Sequence, residues 1–234
     1  MKVSDGVKRH ALKGLSALSK YLGIYEQFLK LRRNYALTWK GKSSTDLLID
    51  RLTKVKDPDE VFRWIREVKR KLPEYTDFMD LISITGMRLI EAITSYNLII
   101  ELAGKNRLDE YYNMENETLE HYKFKEQFIR RSKKTFISFV PKELVTRISS
   151  NEKVRSRDTI IKKVEKQGLK SRFGDIREAH ASFMTKYLKQ PEIDFLHGRI
   201  SANVFMSNYF NPALISDLKE RVFKAIKEIE NKIS

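Results

Sequence analysis

The sequence predicts a mainly α-helical protein with a small antiparallel β-sheet. Most segments place apolar residues three and four positions apart, as on one face of a helix. Helix start and stop signals separate these segments, with Asp57-Pro58 and Gly86 the clearest. The alternation of apolar and polar residues that is typical of strands is confined to residues 120–140.

The first 45 residues are predicted to be a helical segment that precedes a larger domain at residues 46–234. Apolar positions such as Leu15, Leu18 and Leu22 predict one amphipathic helix over residues 7–33, whose other face is basic. That basic face is either solvated or lies along the phosphates of a nucleic acid.

The larger domain is predicted to begin with three helices. Asp57 is the expected N-cap of the first, and Pro73 opens the second. Gly86 forces a sharp turn, and Arg88 then lies at the mouth of a third helix that ends near Gly104.

Strands are predicted at residues 120–129 and 135–140, joined by a basic turn at residues 130–134. Helices follow at residues 151–170 and 175–188, and a short helix runs through Leu196. A last helix at residues 213–232 carries a narrow apolar seam, which packs either on its own domain or on a neighbouring subunit.

Composition favours a polyanionic partner. The chain has 46 Lys and Arg against 31 Asp and Glu, a net charge of +15. Nucleic acid is the commonest polyanion, and an anionic membrane surface is the rival. The sequence has no long apolar run and no apolar leader at its start, so a cytoplasmic protein is expected. The absence of cysteine excludes thiolate nucleophiles and cysteine-ligated zinc.

Four residues in order, Arg88, Arg177, His197 and Tyr209, are typical of phosphoryl transfer. Arginine grips two phosphate oxygens and keeps its charge, and neighbouring cations would activate a phenol as a nucleophile. His197 could donate to a phosphate oxygen or take the tyrosine proton. Each residue singly also fits a structural role.

The basic turn supplies a candidate general acid. Lys133 lies where a mobile loop could reach the leaving 5′ oxygen, and Lys134 is its immediate rival. A simple phosphate contact is the alternative for either lysine.

Together these motifs resemble the catalytic domain of the tyrosine recombinases, or phage-type integrases, and most closely their archaeal virus and plasmid branch. The similarity covers roughly residues 50–234. It depends on Thr85-Gly86-Met87-Arg88-Leu89-Ile90-Glu91, the basic turn before Thr135, Asp175-Ile176-Arg177, Leu196-His197-Gly198-Arg199-Ile200-Ser201 and Tyr209.

The resemblance implies roles for five residues. Arg88 and Arg177 would clamp the phosphate, Lys133 would be the strand-turn lysine, His197 the third-box histidine and Tyr209 the nucleophile. The implied reaction cleaves and rejoins double-stranded DNA at specific sites through a 3′-phosphotyrosine, in a tetrameric synapse on the host nucleoid. It needs no metal and no other cofactor.

The chain departs from the family pattern in three respects. Gly174 stands where the family usually has His or Lys, three residues before the second arginine; Lys170, Arg172 or His180 could compensate. His197 precedes its glycine, where many relatives have the glycine first. Residues 1–45 resemble either the last helix or a reduced form of a core-binding domain, so the chain could be a C-terminal portion of a longer integrase. A type IB topoisomerase-like nicking-closing enzyme and a catalytically degenerate DNA-binding protein are the alternatives.

Overall fold

A computed structural model describes residues 5–38, 43, 45–46, 49, 57, 59–130, 133–199, 211 and 217–234. Contacts divide the chain into two units, Met1–Asp57 and Pro58–Ser234. The described part is mainly helical with two small antiparallel sheets, which confirms the predicted fold class.

The first unit contains helices α1 (Asp5–Tyr21) and α2 (Tyr25–Asn34), which contact each other. The predicted single helix over residues 7–33 is wrong. Gly23 has a φ of +69°, a left-handed conformation that glycine adopts without strain, and it separates the two helices.

The second unit opens with three helices, α3 (Glu60–Lys71), α4 (Thr76–Thr85) and α5 (Leu89–Gly104), with a 3₁₀ turn at Pro73–Tyr75 before α4. Helix α3 begins later than predicted, because Asp59 and not Asp57 occupies its N-cap. The predicted opening of the third helix by Arg88 agrees with the structure, in which Arg88 is the N-cap of α5.

The strands are shorter than the sequence pattern indicates. A three-stranded sheet has the order β1 (Tyr112–Asn113), β2 (Thr118–Leu119), β5 (Ser138–Phe139), and a two-stranded hairpin pairs β3 (Ile129–Arg130) with β4 (Lys133–Lys134). Short 3₁₀ helices cover Leu108–Glu110 and His121–Lys123, and a single helical turn, α6, covers Lys125–Phe128.

The predicted strand at residues 120–129 is therefore wrong over most of its length. Phe124 and Phe128 pack inward from a turn and a short helix instead of from a pleated strand, whereas Tyr122 is half-exposed. Phe128 is fully buried, with its ring 6.0 Å from that of Tyr111 and 4.5 Å from that of His121. Burial of these rings in one cluster outweighs the local preference for an extended chain.

The remaining helices are α7 (Lys142–Ser149), α8 (Arg157–Lys166), α9 (Phe173–Met184), α10 (Gln190–Leu196) and α11 (Leu218–Ile233). Helix α8 covers only part of the predicted 151–170 helix. Its N-cap is Ser156, whose hydroxyl accepts the backbone N–H of Thr159. The apolar seam of α11 is buried against α3, α4 and β5, so it packs on its own unit.

Helix α4 is the centre of the second unit. It contacts α3, α5, α7, α9 and α11, and nearly every residue from Phe78 to Thr85 is buried. Helices apolar on all sides belong in a core. The C-terminal end of this central helix fixes the position of Gly86 and of the residues that follow.

Candidate active site

The candidate site begins at Gly86, where α4 ends. Gly86 has a φ of +59° and donates its N–H to the carbonyl of Ile82 at 3.0 Å. A Cβ here would lie 2.6 Å from His180 Nδ1 and 2.9 Å from His197 Nε2. Both the backbone conformation and the lack of space therefore require glycine, and Arg88 follows two residues after this contact with the imidazole rings.

Arg88 is held by Glu91, whose carboxylate is buried. Glu91 accepts the backbone N–H of Arg88 at 3.2 Å and its Nη1 at 2.8 Å, which closes the first turn of α5. Arg130, on strand β3, lies 3.8 Å from the same carboxylate. Glu91 thus orients the first arginine and joins it to the hairpin.

Arg177 reaches the same place from helix α9. Its Nη1 donates to the carbonyl of Gly86 at 2.9 Å, and its Nη2 donates to the carbonyl of His197. Burial, together with the positive charges of Arg88 and Arg199, lowers the pKa of Arg177 to about 10. Arg177 therefore contacts the turn that precedes Arg88, although the two arginines are 89 positions apart in sequence.

His197 is fully buried, and its ring contacts that of a second histidine. His180 Nδ1 lies 2.9 Å from His197 Nε2, and His180 Nε2 lies 3.0 Å from the carbonyl oxygen of Ile84. Burial lowers the pKa of both imidazoles well below the ordinary value, and the Arg177 charge lowers both further.

His180 is a site residue that the sequence brought forward only as a substitute near Gly174. The signal that identifies it is spacing, because residues three apart on a helix share a face, and His180 lies three residues after Arg177. Of the other possible substitutes, Lys170 is exposed and Arg172 is paired with two carboxylates. Gly174 itself is exposed, and no described residue places an atom within 4 Å of the position of an added Cβ.

The β3–β4 hairpin presents its two lysines differently. Lys133 is exposed and lies opposite Arg130 in the strand register, whereas Lys134 is half-buried and lies opposite Ile129. Directly paired residues extend toward the same side of a sheet. Lys133 therefore shares the face of Arg130, whose guanidinium lies near Glu91.

A second glycine packs the hairpin against the end of α10. Gly198 has a φ of +59°, and a Cβ added to it would lie only 1.6 Å from the carbonyl oxygen of Lys134. The backbone of β4 therefore touches the residue that follows His197. This contact places the backbone of the hairpin beside the end of α10.

Arg199 is a further cation that the sequence analysis did not assign a role. Its side chain is exposed and lies 3.7 Å from the carboxylate of Asp194. Its charge acts on both Arg177 and His197. Tyr209, the predicted nucleophile, lies outside the described residues.

Within the described ranges, His, Asp and Glu side chains form no group of three that could hold a metal ion. Nor does any helix there have the length and apolar character needed to span a bilayer.

Arginines from the start of α5 and from β3 thus lie at the Glu91 carboxylate, and Arg177 reaches the adjoining turn from α9. Arginine is the side chain that pairs best with carboxylate and phosphate groups. The chain belongs to the archaeal phage integrase family, whose sequence model matches residues 53–225. No curated protein and no solved structure matches it. Integrases act on DNA, so membership supports a role in DNA integration and recombination.

Proposed function

We propose that this chain is a tyrosine site-specific recombinase. It cleaves and rejoins strands of double-stranded DNA through a 3′-phosphotyrosine intermediate and thereby integrates or excises a mobile element. Tyr209 is the proposed nucleophile, and Arg88, Lys133, Arg177 and His197 are its proposed partners.

The observation that carries the proposal is the convergence of Arg88 and Arg177 beside Gly86. Arginines that approach each other in a partly buried place repel, and this repulsion favours the entry of an anion. Arg177 directs two of its N–H groups to backbone carbonyls, which fixes the guanidinium plane and leaves other donors for a ligand. A phosphodiester would relieve the repulsion and accept these donors.

The proposed reaction exchanges one phosphodiester for another. The Tyr209 hydroxyl loses its proton to solvent and attacks as a phenolate that the neighbouring cations stabilise. Its oxygen forms a bond to phosphorus as the bond from phosphorus to the 5′ oxygen breaks. Arg88 and Arg177 neutralise the non-bridging oxygens, and the Lys133 ammonium group gives a proton to the leaving 5′ oxygen. Attack by a 5′ hydroxyl of another strand reverses these steps and joins the new partner.

Strand exchange needs two DNA duplexes held together, so we propose a tetramer that assembles on DNA, with one active site for each cleaved strand. The net charge of +15 supports attachment to the phosphate backbone. The proposed place of action is the nucleoid in the host cytoplasm.

The decisive experiment uses a nicked suicide substrate that traps the covalent intermediate. The wild type should form a protein–DNA adduct that is visible on a denaturing gel. Tyr209→Phe should bind DNA as before but form no adduct, because it lacks the attacking oxygen. Tyr122→Phe removes a hydroxyl from a half-exposed ring and should leave the adduct yield unchanged.

Other outcomes would favour the alternative functions. Undiminished adduct in Tyr209→Phe would exclude that tyrosine as the nucleophile. Relaxation of supercoiled DNA without joined recombinant products would favour a nicking-closing enzyme. Salt-sensitive binding with no adduct from the wild type would favour a degenerate DNA-binding protein.

A further inference from the structure

Four buried polar side chains form a hydrogen-bonded series that the proposed reaction does not use. Tyr111 Oη lies 2.9 Å from Ser95 Oγ and 2.7 Å from His121 Nδ1. On the other side of the imidazole, His121 Nε2 lies 2.9 Å from Ser138 Oγ. All four side chains are buried, and those of Ser95, Tyr111 and His121 are fully buried. We call these four residues the buried polar chain.

The imidazole of His121 joins the two halves of the buried polar chain. Burial lowers the pKa of this ring to about 3, which keeps it neutral at neutral pH. A neutral imidazole has one N–H and one lone pair, so His121 accepts from one neighbour and donates to the other. Loss of the hydroxyl on either side therefore leaves a ring nitrogen buried without its partner.

The buried polar chain connects helix α5 to the base of the β3–β4 hairpin. Ser95 lies on α5, the helix that the first candidate arginine opens, and Ser138 lies on β5, after the hairpin. The His121 ring packs on Phe128, the residue before β3, with the ring centroids 4.5 Å apart. The Tyr111 ring stacks on the same phenylalanine at 6.0 Å. The buried polar chain therefore holds the segments on both sides of the hairpin against α5.

A backbone hydrogen bond closes the base of the hairpin, where Thr135 donates its N–H to the Phe128 carbonyl at 3.1 Å. Strands β3 and β4 are two residues long each, and a two-stranded hairpin by itself is marginally stable in water. Contacts outside the ladder of the hairpin must therefore fix the position of Lys133, which lies on β4.

Polar groups at this place are useful for orientation more than for stability. Burial removes hydroxyl and imidazole groups from water, and apolar side chains of the same shape could stabilise the fold about as well. Hydrogen bonds require defined distances and angles, whereas apolar contacts tolerate sliding. The buried polar chain therefore sets the orientation of the hairpin base relative to α5.

We propose that Tyr111 and His121 are positioning residues, which hold the hairpin base on α5 through the buried polar chain and so place the Lys133 ammonium group. This inference rests on the proposed function, in which Lys133 gives a proton to the 5′ oxygen that keeps the electrons of the broken bond to phosphorus. Both positioning residues are fully buried, so they act through Lys133 and not on the DNA. Their substitution should impair the step that needs this lysine.

Two adjacent tyrosines provide a matched pair of variants. Tyr111→Phe removes one hydroxyl of the buried polar chain and keeps the ring that stacks on Phe128. Tyr112→Phe is the control, because it removes another buried hydroxyl, which donates to the Val140 carbonyl at 2.9 Å outside the buried polar chain. Ser138→Ala interrupts the buried polar chain on the other side of the imidazole, and it decides the question if Tyr111→Phe does not fold.

The first measurement is hydrogen exchange of the Thr135 amide, followed by NMR in the full chain without DNA. This N–H bonds the Phe128 carbonyl, so its exchange reports opening of the hairpin base. Exchange should be about 10-fold faster in Tyr111→Phe and in Ser138→Ala than in the wild type, the effect of losing one buried hydrogen bond. Tyr112→Phe should exchange as the wild type does. Equal exchange in the two tyrosine variants would overturn the inference.

The second measurement is the rate of adduct formation on suicide substrates with oxygen or sulfur at the leaving 5′ position. On the oxygen substrate Tyr111→Phe should react about 10- to 100-fold more slowly at unchanged DNA affinity, the effect of a small displacement of a catalytic group. On the sulfur substrate, whose thiolate leaves without a proton, it should match the wild type. Tyr112→Phe should match the wild type on both. A defect of equal size on both substrates would indicate a purely structural role and contradict the inference.

A double variant tests whether the effect passes through Lys133. Addition of Tyr111→Phe to Lys133→Ala should cause no further loss of rate on the oxygen substrate, because the group that Tyr111 positions is already absent. Defects that multiply would show that Tyr111 acts on another part of the site, and the inference would then be wrong.

The two proposals fail differently. A wild type that forms no adduct contradicts the proposed function, whereas exchange of the Thr135 amide still decides whether the buried polar chain holds the hairpin base. A wild type that forms the adduct, together with a Tyr111→Phe variant that reacts as fast as Tyr112→Phe on the oxygen substrate, contradicts this inference alone.

Discussion

At the scale of single residues, Gly86 determines whether the site can form. It ends the central helix, offers its carbonyl to Arg177 and leaves room for the two imidazoles. Its neighbour Arg88 then begins the next helix with Glu91 as its partner. One small residue thus connects both arginines and both histidines of the candidate site.

Gly86→Ala should lower the free energy of unfolding by about 2–4 kcal/mol. The φ of +59° strains an alanine, and its Cβ would lie 2.6 Å from the His180 ring. Urea denaturation gives the stability, and the suicide substrate gives the accompanying loss of adduct as Arg88 shifts.

Gly104→Ala is the matched control for this change. Gly104 closes helix α5, and no atom lies within 4 Å of the position of an added Cβ. Alanine favours a helix over glycine, so stability should stay constant or rise by up to about 1 kcal/mol. Equal stabilities of the two variants would contradict the requirement for glycine at position 86.

At the scale of elements, the β3–β4 hairpin is a small unit attached at two points. Arg130 approaches Glu91 on helix α5, and the Lys134 carbonyl touches Gly198 after helix α10. The residues at its tip, 131 and 132, lie outside the described ranges. The pairing of Lys133 with Arg130 favours Lys133 over Lys134 as the general acid.

Lys133→Ala should reduce adduct formation by about 10²–10⁴-fold, the range for loss of a general acid. Lys134→Ala should have a much smaller effect, because that residue pairs with Ile129 and is half-buried. Both rates are measured on one suicide substrate at equal DNA occupancy.

A substrate with sulfur in place of the leaving 5′ oxygen separates acid catalysis from phosphate contact. A thiolate leaves without a proton, so Lys133→Ala should regain most of its rate on this substrate. Failure of this rescue would make Lys133 a phosphate contact, and a larger defect in Lys134→Ala would reverse the assignment of the two lysines.

At the scale of the whole molecule, a net charge of +15 coexists with three buried neutral histidines. Burial lowers the pKa of His121 to about 3, and it also lowers the pKa of His180 and of His197. His121 accepts or donates within a buried network, with Nδ1 2.7 Å from Tyr111 Oη and Nε2 2.9 Å from Ser138 Oγ. In the unfolded chain these three imidazoles bind protons at a pH at which they stay neutral in the folded chain.

The protein should therefore lose stability as the pH falls below about 6.5, the ordinary pKa of histidine. The pKa values of the three buried histidines are lowered in the folded state. Their contribution to stability is therefore complete above about pH 6.5 and is lost as the pH falls toward the folded-state pKa values. Each histidine contributes up to about 1.4 kcal/mol for each pH unit in this window. Urea denaturation between pH 7 and pH 5 measures the slope.

His121→Gln should make this slope shallower by the share of one histidine, and His10→Gln, at an exposed position of the first unit, should leave it unchanged. If the free energy of unfolding of the wild type were constant from pH 7 to pH 5, the prediction would be contradicted, because protonation of the buried histidines would then not destabilise the fold.

The sequence by itself determined the features that depend on neighbours along the chain. The fold class, the turn at Gly86 and the start of a helix at Arg88 follow from periodicity and from the backbone freedom of glycine. Local rules also failed where long-range burial prevailed, as at the aromatic cluster around Phe128, where a strand was expected. Nor did the periodic apolar stripe reveal the helix break at Gly23.

Only the tertiary structure decided which side chains meet. The contact of Arg177 with the Gly86 carbonyl, the contact of His180 with the Ile84 carbonyl and the approach of Arg130 to Glu91 join residues that are distant in sequence. Such meetings depend on how helices pack around the central α4, and packing energy is a sum over the whole core and not a property of any segment. The sequence therefore predicted which residue types could carry out the proposed reaction, and the packing of the core determined how these residues are arranged.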